Sequence, residues 1–230
     1  MTYASALPHS KRSACAWFAA ATALFLALTA RPASAGRLIA TPFADTLPSG
    51  RITLWQLAML EARTTDDVRL LNRLDAGLAD EFELGVFFVD PPGDGPTDTW
   101  LNLQFRIAEE TQSQPVLAVG VWDVTDRESW FVAAGKTFDL SRQRGDGRYV
   151  KVGLGMGGDR LNGLFGGLDV RFERDTGLFV EYAPENSRLP GTEAINVGVY
   201  HWISPQWRVR GSWIGGNPMA DVLWAGWMWK

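Results

Sequence analysis

The sequence predicts an all-β protein, an antiparallel transmembrane β-barrel of about twelve strands (10–12). Three observations carry this. Apolar residues recur with period two, the spacing of a strand with unlike faces, rather than the helical 3.6. Turn residues divide the chain into runs of about 9–13 residues, close to the ~9–11 that a tilted spanning strand needs and longer than the ~5–6 of a usual globular strand. The second face of those runs interleaves glycine with charges of both signs, an arrangement suited to a crowded lumen and poor for a solvent-facing strand.

The first 35 residues stand apart from this pattern. Lys11 and Arg12 precede an apolar stretch from Ala14 to Ala30, and Ala33-Ser34-Ala35 follows as a small-x-small site. That is the layout of a secretory signal peptide cleaved near Ala35. The alternative is a membrane anchor, for which the stretch is shorter than the ~20 residues of a helical span. Cys15 lies before the cut, so a lipid anchor on it is not expected. Cleavage removes Lys11, Arg12 and Arg31 and no acidic residue, taking the net charge from −4 to −7. It leaves no cysteine and one histidine, His201. The expected organisation is a signal peptide over 1–35, an N-terminal segment over 36–50 that leads in, and a barrel domain over 51–230.

The composition excludes several classes. With 46% hydrophobic and 12% aromatic residues the chain is not disordered. A charged fraction of 21% does not fit an ion-pair-rich helical rod. The acidic balance gives no support for a nucleic-acid partner.

The predicted strands run, in order, over 51–63, 69–77, 82–90, 99–109, 115–124, 128–138, 148–156, 161–173, 178–184, 194–203, 206–214 and 221–229. Leu101, Leu103, Phe105 and Ile107, alternating with Asn102, Gln104 and Arg106, make the fourth the clearest. The second is ambiguous, because Val68, Leu71, Leu74 and Leu78 also fit helical spacing. A strand is preferred, since Asp80-Glu81 then forms a hairpin turn into Phe82. Loops are expected at 91–96, 144–147, 174–177, 186–192 and 215–218, where Gly, Pro, Asn and Asp gather.

Alternation alone does not say which face is wet. A soluble sandwich or lipocalin-like barrel buries its apolar face, and a membrane barrel turns it to lipid. The glycine-and-charge face favours the second. Its lumen-lining residues are expected to be Glu83, Arg106, Lys151, Asp169, Arg171, Glu181, Arg208 and Arg210. Tryptophans near strand ends, Trp100, Trp130, Trp202, Trp207, Trp213, Trp227 and Trp229, together with Trp224, are expected to form a girdle at the membrane interface. Leu223, Ala225, Trp227 and Trp229 alternate along the last strand. Outer-membrane barrels commonly end on such a strand with a terminal aromatic, read by the barrel-assembly machinery; here Lys230 follows it.

Two stretches carry a family resemblance. Phe165-Gly166-Gly167-Leu168-Asp169-Val170-Arg171-Phe172 runs into Gly177-Leu178-Phe179-Val180-Glu181-Tyr182. Ile195-Asn196-Val197-Gly198-Val199-Tyr200 runs through Pro205 to Arg210-Gly211-Ser212-Trp213-Ile214-Gly215-Gly216. Together they resemble the repeating hairpins of YjbH-like outer-membrane barrels. Thr41-Pro42 through Thr46-Leu47-Pro48-Ser49-Gly50 resembles the segment by which such barrels begin, and Phe82-Glu83-Leu84-Gly85-Val86 resembles them too. The resemblance implies an outer-membrane barrel associated with exopolysaccharide export, although this chain is much shorter than the long family members.

Catalytic chemistry finds little support. Without a mature cysteine, thiol catalysis and thiolate zinc sites are excluded, and one histidine makes no multi-histidine metal site. His201 and Ser204 are three apart, which in a strand puts them on opposite faces. Gly153-x-Gly155-x-Gly157-Gly158 lacks the strand–loop–helix context and the Lys-Ser/Thr of a phosphate loop. Asp90, Asp94, Asp98, Asp123 and Asp126 read as solvated loop residues, with weak hard-cation binding or divalent bridging to lipopolysaccharide as the alternative. No catalytic residue, metal or cofactor is expected. The expected function is that of a small passive channel or an envelope component in the bacterial outer membrane, with lipid, the assembly machinery and small solutes as partners. The rivals are a soluble periplasmic barrel with an apolar ligand and a barrel lipase centred on His201.

Overall fold

A computed structural model describes residues 42–60, 68–90, 98–125, 129–140, 147–161, 163–183 and 194–228. Residues 1–41 (which include the expected signal peptide), Trp229 and the loops 91–96 and 186–192 lie outside them. The strands are β1 Arg51–Leu60, β2 Val68–Ala79, β3 Phe82–Asp90, β4 Asp98–Ala108, β5 Val116–Trp122 and β6 Ser129–Asp139. They continue as β7 Tyr149–Gly157, β8 Gly163–Arg171, β9 Thr176–Ala183, β10 Ala194–Trp202, β11 Trp207–Ile214 and β12 Asn217–Trp227. Each pairs antiparallel with its sequence neighbours, and β1 also pairs with β12, so the sheet closes. Leu57 sits opposite Leu71 on one side and Asp221 on the other. Closure leaves no edge strand with unpaired backbone groups.

The ambiguous second segment is a strand, longer than predicted, and it turns at Asp80-Glu81. Two boundaries differ for local reasons. Residues 159–161 form a short 3₁₀ turn, so β8 begins at Gly163, whose φ of 109° serves the turn. The last hairpin needs only Gly215 and Gly216, at φ 53° and 88°, so β12 starts four residues before the predicted 221. Two successive positive φ values match the twist of a two-residue hairpin.

The outer face of the wall is apolar, while the inner face mixes an apolar cluster with charges of both signs. On β7 and β8 the outward Leu154 and Leu164 are 67% and 73% exposed. Phe105, Ile107, Ile195, Val199 and Trp213 are likewise exposed. Meanwhile Asp75, Glu83, Asp169, Glu181, Arg208, Arg210 and Asp221 are buried inside. A soluble barrel turns its charges outward; an apolar outside with charges inside is the polarity of a barrel in lipid. Among the described residues no helix is long and apolar enough to cross a membrane.

The aromatic expectation needs correction at three positions of inward parity, and Trp224, though of outward parity, is buried as well. Trp100 and Trp202 are buried and face the lumen, and Trp227, opposite Arg51, lies on the inward parity. Period two explains each. Leu101 and Leu103 face out, so Trp100 faces in; Val197 and Val199 face out, so Trp202 faces in. Along β12, Leu223 and Ala225 are wholly buried while Val222 is exposed. The alternating apolar series of the last strand therefore lines the interior. Trp130 and Trp213 do lie exposed on the outer face, and Trp207 shares its parity with Trp213.

Candidate functional site: the lumen and its N-terminal segment

Residues 42–50 do not continue the wall. They turn inward from the start of β1 and fill the lumen at the end that holds the Asp80-Glu81 turn. Phe43, Ala44 and Leu47 are buried there. The segment has no sheet to join, so its backbone groups find side chains instead, as buried polar groups must. Gln104 on β4 donates through Nε2 to the carbonyls of Phe43 and Asp45, at 2.7 and 2.9 Å. Glu83 on β3 accepts the Leu47 N–H at 2.9 Å. The Asp80 carboxylate accepts the Ser49 N–H at 2.8 Å, and the Thr46 hydroxyl donates to the Asp80 carbonyl at 2.6 Å. Lys151 on β7 pairs with the Asp45 carboxylate.

Glycine makes room for the segment. A Cβ at Gly153 would overlap the Phe43 ring, and one at Gly77 would overlap the carbonyls of Leu47 and Pro48. The glycine run once comparable to a phosphate loop thus lies in β7 as a seat: Gly153 under Phe43, and Gly155 under Phe165. Burying Phe43 and Leu47 contributes about 1.5–3 kcal/mol each.

Beyond the segment a paired network lines the inner wall. Arg210 on β11 pairs with Asp221 on β12 through its Nε. Arg73 donates from Nε to Asp75 at 2.7 Å, and Asp75 also accepts from Thr53 at 3.2 Å. Trp55 lies among three guanidinium groups: Arg208 at 4.8 Å, Arg210 at 4.9 Å and Arg73 at 5.8 Å from its ring. Asp169 accepts from the hydroxyls of Tyr200 at 2.7 Å and Tyr149 at 3.0 Å. Glu181 accepts from Asn196 at 3.0 Å.

All eight predicted lumen residues lie on the inward parity of their strands. Their partners are not all those that register suggests. Lys151 stands opposite Asp169, yet its ammonium goes to Asp45. Arg106 reaches Glu109 at 3.3 Å, near the end of its strand. Arg171 lies over the Tyr149 ring at 5.1 Å. Arg51, Trp55, Arg73, Asp75 and Asp221 were not among the predicted lining residues. Parity would have found Arg73 and Asp75 had the second segment not also fitted a helix, and Asp221 had β12 not been started at that residue.

The remaining candidates fall outside this network. His201 lies exposed on the outer face, its Nδ1 2.9 Å from the Thr176 hydroxyl. Ser204 is in the 203–206 turn, where its Oγ accepts from the Trp207 N–H at 3.2 Å. Asp98 is exposed, while Asp123 is buried rather than solvated, a correction with a local reason: its N–H donates to Asn102 Oδ1 at 2.9 Å and its carboxylate accepts from the Thr125 hydroxyl at 2.8 Å. Among the described residues no group of three or more His, Cys, Asp or Glu is placed to hold a metal.

Register and polarity together define the class: a closed antiparallel β-barrel of the membrane-spanning type. No family model matches the chain, and no curated protein is similar to it in sequence. Among solved structures it is similar to a NanC porin, at 7% identity and a TM-score of 0.44, over 76% of this chain and 98% of that one.

Proposed function

We propose that the protein is an outer-membrane barrel that acts as a small passive channel, with its lumen held shut by its own residues 42–49. The observation that carries this is the seat itself. Gln104, Glu83, Asp80 and Lys151 hold a segment that belongs to no strand, and Gly77 and Gly153 are shaped to it. Solute selectivity then belongs to the less buried Lys151, Arg106 and Arg171, which stand where the segment leaves. Arg208 and Arg210, 2% and 4% exposed, serve the packed network instead. The protein is read as non-catalytic, since His201 and Ser204 are each engaged with other partners. The charged, apolar and small-residue layout of residues 11–35 supports export across the inner membrane, and the place of β12 at the barrel seam supports assembly through the C-terminal strand. The YjbH-like hairpins support an envelope role for this channel, associated with polysaccharide export.

Single-channel recording in planar bilayers tests the reading. The mature protein should be nearly silent, and a variant lacking residues 42–49 should conduct stepwise. Equal conductance in both would overturn the closing role. A protein recovered without detergent would overturn the membrane reading as a whole.

A further inference from the structure

The outer face is apolar along almost every strand, and among the described residues one place interrupts it at mid-height, away from His201 and Lys136 nearer the strand ends. Gln56 is the sixth residue of ten on β1, and Asn72 is the fifth of twelve on β2. They sit directly opposite each other, outward, with Val222 on one side and Phe88 on the other. Val222 and Phe88 are both 41% exposed, so the amides lie in the middle of the lipid-facing band. Among the described residues neither amide has a hydrogen-bond partner. Lipid tails offer none, and a primary amide facing hydrocarbon forfeits the bonds it makes in water. The wall beside them is low in relief: Ala58 faces Ala220, which faces Gly211, and open space lies over Gly211. Small residues of this kind let a neighbouring backbone come close, and side-chain amides hold membrane segments together.

We infer that the β1–β2 face is where a second copy of this chain docks, side by side in the membrane. The amides select that occupant. An amide is both donor and acceptor, so a Gln–Asn pair is complementary to itself. A two-fold axis along the membrane normal sets Gln56 of one copy against Asn72 of the other, and Asn72 against Gln56, in one closed isologous contact. Each copy supplies what the other lacks, and among the described residues no charged group stands outward on β1 or β2 to oppose it. The inference rests on the barrel spanning a membrane.

Disulfide trapping tests it, in a background where Cys15, the one cysteine of the sequence, is changed to Ser. Gln56→Cys and Asn72→Cys variants, oxidised in isolated outer membranes, should give a band of twice the monomer mass. Leu154→Cys, on the outer face of β7, should stay monomeric. Gln56→Leu with Asn72→Leu should lower the dimer fraction in mild detergent roughly fivefold to tenfold. That variant keeps the apolar band intact, so a heat-shift gel should show it folded. Monomer alone at both positions, an adduct of another mass, or equal trapping at Leu154→Cys would overturn the docking surface. Failure to sediment with membranes would instead overturn the membrane reading, so the two failures are distinct.

Discussion

Asp45, ahead of the first strand, pairs its carboxylate with the ammonium of Lys151 on β7, 106 positions along the chain. One ion pair thus ties the entering segment to the far wall of the lumen. Coulomb attraction between partly exposed groups contributes modestly, so the pair directs the segment more than it fixes it. The firmer anchor is Gln104, whose one amide nitrogen serves two carbonyls of the segment.

That difference yields the first prediction. Gln104→Leu leaves the carbonyls of Phe43 and Asp45 without their donor inside the lumen, at a cost of about 1–3 kcal/mol each. The segment should then leave its seat more often. An Ala44→Cys probe, buried in the parent, should react with a maleimide at least tenfold faster when Gln104→Leu is added. Lys151→Met should accelerate labelling only about twofold. Equal labelling in the presence and absence of Gln104→Leu would show that apolar contacts alone hold the segment.

The Arg210–Asp221 pair gives a stability prediction. Both side chains are almost wholly buried. Asp221→Ala leaves the Arg210 charge uncompensated beside Arg208 and Trp55, which costs about 3–5 kcal/mol. The double variant Arg210→Leu with Asp221→Leu removes both charges and should recover most of that loss. Urea unfolding in detergent, followed by tryptophan fluorescence, reports both. A double variant no better than Asp221→Ala would mean that the pair acts through packing rather than charge.

Much of this fold was legible because period two is written along the whole chain. Leu101 to Ile107 alone fixes which residues of β4 face out, and from that follows the inward place of Trp100. The error there came from reading tryptophan by position near a strand end when parity already decided it. What the sequence does not carry is register between distant strands. Nothing local to Asp45 points to Lys151, and nothing local to Phe43 points to Gly153. Glycines on the charged face announced a crowded lumen, yet the occupant, Phe43, comes from a segment without alternation of its own. The Gln56–Asn72 pair was hidden for a related reason: each residue is ordinary in its own strand, and only their pairing across β1 and β2 sets them side by side.

The last prediction addresses the outer face, on which every functional reading here depends. Leu154 is 67% exposed at mid-strand on β7. In a soluble barrel, an exposed leucine changed to arginine alters stability by about 0.5 kcal/mol or less, as surface substitutions usually do. In a bilayer the same change places a guanidinium among lipid tails and costs about 2–4 kcal/mol near the midplane. Leu154→Arg should therefore lower the unfolding midpoint strongly in phospholipid vesicles, while Ser113→Arg, on an exposed turn, should leave it nearly unmoved. The contrast separates the effect of lipid from that of added charge. A small, equal effect of both substitutions would mean that the exposed leucines meet water, and the apolar band would lose its meaning as a membrane belt.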